Sequence, residues 1–313
     1  EGVDRETYQG HQFEGNSVIS DLKGNCVWYC SMIHPISFSI PAEKIITTPV
    51  VKTKIMSDLI PGDRKTYIYN TETEYYDEYR RSYFAVTTKK AGWDCLRHYE
   101  ILANGCIPYF VGIQHCPVFT MYLLPRDLFL RGGLLCDKFR NKTIDELTPE
   151  LIAEYNQLQK ELLEYTRAHL TTEKMATYIL NKSNHQNASK ILYLSGIIEP
   201  DYLRCVTLHG FKQLLGNRCH DFPKIYGKGI SYTNLLDQEM HDMTLNNELE
   251  AKIKSKFFDI IIYGSYHRGM PFYELACETY KPNEIILLCG DDIHKCTFST
   301  FTDKGHHVFV REI

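Results

Sequence analysis

"SYFAVTTKKAGWDCLRHYEILANGCIPYF", residues 82–110, contains the pattern that decides the fold. Its first part, SYFAVT, has the β-branched and aromatic residues of a strand, and CIPYFV at its end predicts a second strand. Between them, Asp94 to Ala103 has helical spacing. A strand, a helix and a strand in this order are typical of a parallel βαβ unit, so the sequence predicts an α/β protein.

Charged residues cluster where the first strand of this unit ends. Asp94 is a preferred N-cap residue, and Asn104 with Gly105 is a typical helix stop. If the helix begins at Asp94, Arg97 and Glu100 follow on the same face. The unpaired N–H groups of its first turn would then face the crevice at the strand's carboxyl end, which is a setting that suits a diphosphate.

The basic residues around this helix suit the same ligand. Lys89 or Lys90 in the loop, and Arg97 one turn into the helix, can donate charge-assisted hydrogen bonds to phosphate. Glu100 can accept from a ribose diol. The alternative is a ladder of salt bridges from Asp94 through Arg97 to Glu100 on a solvated helix face, worth roughly tenths of a kcal/mol for each pair. Neither GxxxxGK nor GxGxxG is present.

Length and composition exclude several classes of protein. The chain has 313 residues, which favours two domains over one. Its formal net charge is −4 and it has no basic stripe, so nucleic acid is not an expected partner. No apolar run reaches the roughly 20 residues of a membrane span. The 11 cysteines, an odd number, form neither a CxxC motif nor a disulfide framework, which indicates a reducing compartment. We therefore expect a cytoplasmic protein, and one without a membrane span.

A polar window, NKSNHQNASK at residues 181–190, predicts a domain boundary. Before it, KTYIYN predicts a strand, TETEYYDEYRRS one or two helical turns, and residues 148–180 two helices. After it, strands are predicted in KILYLSG, FFDIIIYGS, NEIILLCGDD and HHVFVREI, with an acidic helix over 234–256. We therefore expect a first domain over residues 1–185 and a compact Rossmann-like domain over residues 186–313.

Three loops of the second half leave predicted strand ends, at residues 195–204, 263–271 and 289–295. Such loops meet at the ligand crevice of a doubly wound sheet. Asp201 begins a helix in the first loop and is either a general base or a simple N-cap. His209, two turns further along, is either a base facing the cleft or a core histidine.

The other two loops offer further polar candidates. His267 and Arg268 follow a buried-type strand and suit contact with a sugar or a phosphate, unless they only form a polar loop. Asp291 and Asp292 in the GDD stretch are candidates for a base and for a sugar-hydroxyl acceptor. Adjacent carboxylates can also hold Mg²⁺, and a turn that closes the strand is the remaining interpretation.

The stretch at 82–110 resembles the donor-site signature of exostosin-like glycosyltransferases of the family 47 type. In that signature a strand, a glycine-containing loop, an Arg-x-x-Glu helix and GCIP follow one another, and the resemblance extends from SFSIPAEKI to LLPRDL. It is closest to enzymes with which large algal viruses build capsid glycans. The resemblance implies a GT-B fold, in which two Rossmann-like domains face each other across a cleft. GT-B chains normally have the acceptor domain first, whereas the donor-type residues come first here, which indicates a circular permutation or a segment cut from a longer multi-domain enzyme. The resemblance implies these donor-binding residues: Thr87, Thr88, Lys89, Lys90, Trp93, Asp94, Arg97 and Glu100.

The resemblance also implies an activity. The enzyme would transfer a sugar from a nucleotide diphosphate to a hydroxyl of an oligosaccharide or glycoprotein glycan, without a divalent metal. UDP-xylose is favoured as the donor over fucose or galactose donors. The expected catalytic residues are Asp201, Asp291 and His209, and the expected acceptor-binding residues are His267, Arg268 and Asp292. The competing expectation is a non-catalytic GT-B-like subunit or a glycan-binding module. For a viral protein, the cytoplasm would be that of the host cell.

Overall fold

The computed structural model describes residues 17–20, 26–29, 32–196, 201–223, 246–292 and 298–313, the first two ranges by their backbone alone. Within these ranges the chain is an α/β protein with a six-stranded and a three-stranded sheet, both parallel, and a separate antiparallel pair. Part of the predicted acidic helix and of the loops at 195–204 and 289–295 lies outside the described residues. None of the described helices is long and apolar enough to cross a membrane.

The first part of the chain contains the three-stranded sheet, in which β5 lies between β4 and β6. The helix α2 connects β5 to β6, as the βαβ pattern predicts. The elements of this part are β1 Ser17–Ser20, β2 Cys26–Tyr29, β3 Ile33–Pro35, β4 Lys54–Met56, α1 Glu72–Arg81, β5 Ser82–Thr88, α2 Leu96–Ala103, β6 Ile107–Val111, α3 Arg126–Phe139, α4 Pro149–His169 and α5 Thr172–Lys182.

The second part supplies five strands of the six-stranded sheet, whose order is β3-β11-β10-β9-β7-β8. The apolar runs of β7, β9 and β10 are buried along their whole length, which is typical of parallel strands covered on both faces. The elements are β7 Ile191–Leu194, α6 Tyr202–Leu215, β8 Cys219–Phe222, α7 Asn246–Lys254, β9 Ile260–Tyr263, α8 Tyr273–Thr279, β10 Ile285–Cys289, α9 Ser299–Thr302 and β11 His307–Val310.

One strand of the larger sheet comes from the beginning of the chain. β3 pairs in parallel with β11, with Ile33 opposite Val308. A single hydrophobic cluster also runs from Phe84 of β5 to Ile286 of β10, and α5 packs against α6. The six-stranded sheet and the core therefore both include residues from either side of residue 185. The division of the chain into two domains at that point stays a prediction.

One local prediction is wrong, and one strand has no counterpart among the predictions. The stretch KTYIYN is not a strand, because Asp63 accepts a hydrogen bond from the Lys65 N–H and opens a short 3₁₀ helix over Arg64–Thr66. Ile68 is 71% exposed, so an alternating strand here would bury little apolar surface. The strand β8 was not predicted, since its four residues, CHDF, carry a histidine and an aspartate.

A buried arginine joins the two sheets. Arg311 follows β11, and its Nη1 donates to the carbonyl of Asp94 at 2.7 Å and to Glu312 at 2.8 Å. Its Nη2 donates to the carbonyl of Gly290 at 3.0 Å, and its guanidinium lies 4.5 Å from the ring centre of Phe38. Glu312 in turn accepts from the Asp94 N–H at 3.0 Å. The segment after the last strand thus fixes the loop that precedes α2.

The substitution Arg311→Met tests this junction. It leaves Glu312 buried without its cationic partner, so we expect the free energy of unfolding to fall by about 3–5 kcal/mol. Urea unfolding followed by circular dichroism measures the change. The control is Arg131→Met, which removes an exposed pair with Glu161 at 2.5 Å and should cost under about 1 kcal/mol. Equal losses in the two variants would contradict a special role for Arg311.

Candidate functional site

The carboxyl ends of strands from both sheets meet at a cavity of about 510 Å³, called here the large cavity. The loop after β5 and the first turns of α2 form one side of it. The loops after β7, β9 and β10 form the other side. Candidate residues from both halves of the chain therefore lie together, and those that line the cavity are Lys90, Asp94, Arg97, Glu100, Asp201, His267, Arg268, Asp291 and Asp292.

Arg97 lies in the first turn of α2 with its guanidinium largely buried. Its Nε and Nη1 atoms are shielded from solvent and have no hydrogen-bond partner among the described residues. Among the described residues, no ion pair joins Arg97 to Asp94 or Glu100, so the ladder of salt bridges is not formed. A buried donor without a partner costs roughly 1–3 kcal/mol. An anion bound in the cavity would satisfy these donors.

Glu100 lies one turn deeper on the same helix face. The Tyr75 hydroxyl donates to its carboxylate at 3.2 Å, and Tyr67 stacks on Tyr75 with ring centres 6.4 Å apart. Burial raises the pKa of Glu100 to about 7, although the Tyr75 hydrogen bond and the charge of Arg97 oppose the rise. Since Tyr67 is 39% exposed, this end of the cavity offers an aromatic side chain beside a carboxyl group.

Asp94 does not cap the helix. The N-cap position is Cys95, and α2 begins at Leu96. The carboxylate of Asp94 is buried and accepts from the Phe38 N–H at 2.7 Å and from the Tyr99 hydroxyl at 3.0 Å. The prediction of Asp94 as an N-cap is therefore wrong, because these two distant donors hold its carboxylate at the base of the loop.

The lysines of the loop line different spaces. Lys90 is exposed and lines the large cavity. Lys89 and Trp93 instead line a second cavity of about 350 Å³, called here the side cavity, and the Lys89 ammonium lies 5.3 Å from the centre of the indole ring. Ala91 and Asp292 line both cavities, so the two spaces adjoin.

Three expected site residues line neither cavity. Thr87 is buried in β5 and bonds the ring of a neighbouring histidine of α2 at 2.9 Å, and Thr88 ends the same strand. His209 is buried between α5 and α6, with Nδ1 2.8 Å from the Thr172 hydroxyl and Nε2 3.3 Å from Glu43. Burial lowers the pKa of His209. These contacts agree with the alternative in which His209 is a core histidine. We therefore no longer consider His209 a candidate base.

Asp201 caps α6 and orients Arg268. One carboxylate oxygen accepts from the Arg204 N–H at 3.1 Å, and the other accepts from the Arg268 Nε at 3.0 Å. Gly196 permits this approach, because a side chain there would collide with the backbone of Arg268 and Gly269. Both oxygens of Asp201 already accept hydrogen bonds, so the residue is better placed to position Arg268 than to take a proton.

His267 and Asp291 are the candidate bases that remain. Burial lowers the pKa of His267 from its ordinary value, and the charges of Asp201 and Asp291 oppose the shift. The imidazole is therefore neutral at pH 7 and can accept a proton. Asp291 and Asp292 both line the same cavity, and Asp292 forms an ion pair with Arg311.

The sequence did not single out the tyrosines of the large cavity or the segment after β11 that fixes the loop before α2. Tyr67 lies in the stretch predicted as a strand, and Tyr75 lies in a helix whose sequence is notable only as acidic and rich in tyrosine. Arg311 and Glu312 follow the last strand as an ordinary charged end. Their role depends on contacts with residues far away in the sequence, which a local pattern does not contain.

The described residues contain no group of three or more His, Cys, Asp or Glu side chains arranged to hold a metal ion. No protein-family model, no curated protein and no solved structure matches this chain.

The substitution Glu100→Gln tests whether burial raises the pKa of this carboxyl group. Since folding raises its pKa from 4.5 to about 7, the folded protein binds more protons than the unfolded chain between these pH values, and wild-type stability falls as pH rises through them. The glutamine side chain does not titrate. We expect the stability of the variant relative to wild type to rise between pH 4.5 and 7 by up to about 3 kcal/mol, and then to level off.

Urea unfolding of both proteins, from below pH 4.5 to above pH 7, measures this difference. The exposed Glu164→Gln variant serves as the matched control and should show a nearly constant difference. A difference for Glu100→Gln that does not depend on pH would show that the carboxyl group titrates normally.

Proposed function

We propose that this protein is a glycosyltransferase that binds a nucleotide diphosphate sugar in the large cavity and transfers the sugar to a hydroxyl of a glycan. The observation that carries the proposal is Arg97, whose buried guanidinium has two nitrogens without partners among the described residues at the cavity wall. Lys90 and Arg268 add positive charge from loops of different sheets. A diphosphate has the charge and the length to interact with such a set of cations.

The neighbours of Arg97 in the large cavity suit a nucleoside. Tyr67 and Tyr75 form a stacked pair that suits a flat base, and the carboxyl group of Glu100 lies beside the Tyr75 hydroxyl. Glu100 then accepts from the ribose diol. The large cavity therefore contains cations, an aromatic pair and a carboxyl group, which correspond to the diphosphate, the base and the ribose of a nucleoside diphosphate.

The transfer needs a stabilised leaving group and a base. The bond between the anomeric carbon and the β-phosphate oxygen breaks with its electron pair left on the phosphate, which Arg97, Lys90 and the first N–H groups of α2 stabilise. The acceptor oxygen forms the new bond to the anomeric carbon, and its proton passes to His267, with Asp291 as the second candidate. Two parallel sheets that face one cavity are compatible with a GT-B arrangement in which the donor-type part comes first.

The nature of the sugar rests on the resemblance at residues 82–110. UDP-xylose is the first donor to test, followed by UDP-galactose and GDP-fucose, each with and without a divalent metal. A non-catalytic GT-B-like subunit would bind a nucleotide without releasing sugar or transferring it. Incubation with each donor, followed by product analysis, separates the enzyme from such a subunit and identifies the sugar.

The substitution Arg97→Met tests the diphosphate site. The methionine removes donors that lack partners among the described residues, so we expect the ligand-free protein to melt at the same temperature or higher. The increase in melting temperature that UDP causes in the wild type should disappear, and the Kd for UDP should rise by about 30-fold or more.

Calorimetric titration with UDP measures the affinity, and the exposed Arg131→Met variant is the control. Arg131 lies far along the chain in α3 and pairs with Glu161, so its replacement should not change UDP binding. An unchanged Kd for UDP in Arg97→Met would remove the central support of the proposal.

The substitution His267→Gln tests the base. We expect the transfer rate to fall by about 10²-fold or more, while UDP binding is unchanged, because the residue acts on the acceptor proton. In the wild type the rate should fall as pH decreases below the ordinary histidine pKa of 6.5, since burial lowers the pKa of His267 and protonation removes the base. Rates for His267→Gln and Asp291→Asn across this pH range decide between the two candidates.

A further inference from the structure

The side cavity combines an aromatic side chain with carboxylates. Its walls include Trp93, Asp292 and Glu312, with Lys89 as their cationic neighbour. An aromatic face beside a carboxylate that can accept hydrogen bonds suits a neutral ligand that has both apolar surfaces and many hydroxyl groups.

Trp93 is held firmly at this cavity. Its ring stacks on Phe110, with ring centres 6.3 Å apart and an interplanar angle of 21°, and its carbonyl bonds the ring of His98 at 2.8 Å. The exposed ammonium of Lys89 lies 5.3 Å from the ring centre and can move away with little loss. The indole is thus a fixed surface on which a flat ligand can pack.

Asp292 connects this surface to the large cavity. It lines both spaces, its side chain is 45% exposed, and Arg311 fixes its position through an ion pair. Ala91, on the loop between the two lysines, is the other shared wall. A chain-like ligand that extends from one cavity to the other must therefore pass Asp292.

We propose that the side cavity is a carbohydrate subsite that holds the acceptor glycan. A sugar ring packs on the indole of Trp93, Asp292 accepts hydrogen bonds from its hydroxyls, and the next sugar of the glycan reaches the large cavity. The proposal rests on the proposed glycosyltransferase function for the direction of the chain. It moves Trp93 from the donor site, where the resemblance placed it, to the acceptor site.

The chain contains two tryptophans, Trp28 and Trp93, which allows a direct optical test. In the Trp28→Phe variant, Trp93 is the only source of indole fluorescence. This variant is titrated with methyl xyloside, methyl galactoside, methyl fucoside and xylobiose, each with and without saturating UDP. We expect at least one of these glycosides to change the emission saturably, and the change to persist in the presence of UDP.

Two results would overturn the proposal. One is an unchanged emission with all four glycosides, and the other is a change that UDP abolishes, since the sugar would then occupy the nucleotide site. The UDP-induced rise in melting temperature, recorded on the same variant, tests the proposed function separately. UDP binding without a glycoside response defeats only the subsite, whereas a glycoside response without UDP binding indicates a glycan-binding module.

Matched substitutions at Trp93 add a second readout. Saturation-transfer NMR with the same glycosides should lose its signal in Trp93→Ala and keep most of it in Trp93→Phe, which retains an aromatic ring. The UDP-induced shift in melting temperature should be unchanged in both variants. Equal glycoside signals in Trp93→Ala and wild type would contradict a role for the indole, and the fluorescence titration of Trp28→Phe decides the matter if Trp93→Ala does not fold.

Discussion

The buried guanidinium of Arg311 is the interaction on which the shape of the site depends. Its donors contact the carbonyls of Asp94 and Gly290, which belong to loops at the ends of strands in different sheets. A charge so far from water is tolerated only where its hydrogen bonds are made, as Glu312 and Asp292 help to ensure here. The distance between the two walls of the large cavity is therefore set by one planar group.

A second arginine near the large cavity, Arg97, differs from Arg311 in its hydrogen bonding. It is also largely buried, but two of its nitrogens lack partners among the described residues. The contrast with Arg311 separates a structural charge from one whose donors are available to a ligand. Asp94 does not pair with Arg97, because its carboxylate accepts hydrogen bonds from the Phe38 N–H and the Tyr99 hydroxyl.

Much of the fold could be predicted from the sequence because its signals are local. The order β5, α2, β6 and the strands β7, β9, β10 and β11 follow from periodicity within a few residues of each other. The role of Asp94 could not be predicted, because its partners lie elsewhere in the chain. The same limit applies to His209, which has a suitable position on α6 but faces Thr172 and Glu43.

The pairing of β3 with β11 has a consequence for how the chain folds. These strands are separated by most of the described sequence, so the edge of the six-stranded sheet can form only after residues 307–310 have left the ribosome. Until then β3 has no partner strand, and β10 lies at an unpaired edge of the sheet. Such a topology favours late closure of the whole molecule over independent folding of its two halves, and an unpaired strand edge is a site at which partly folded chains can aggregate.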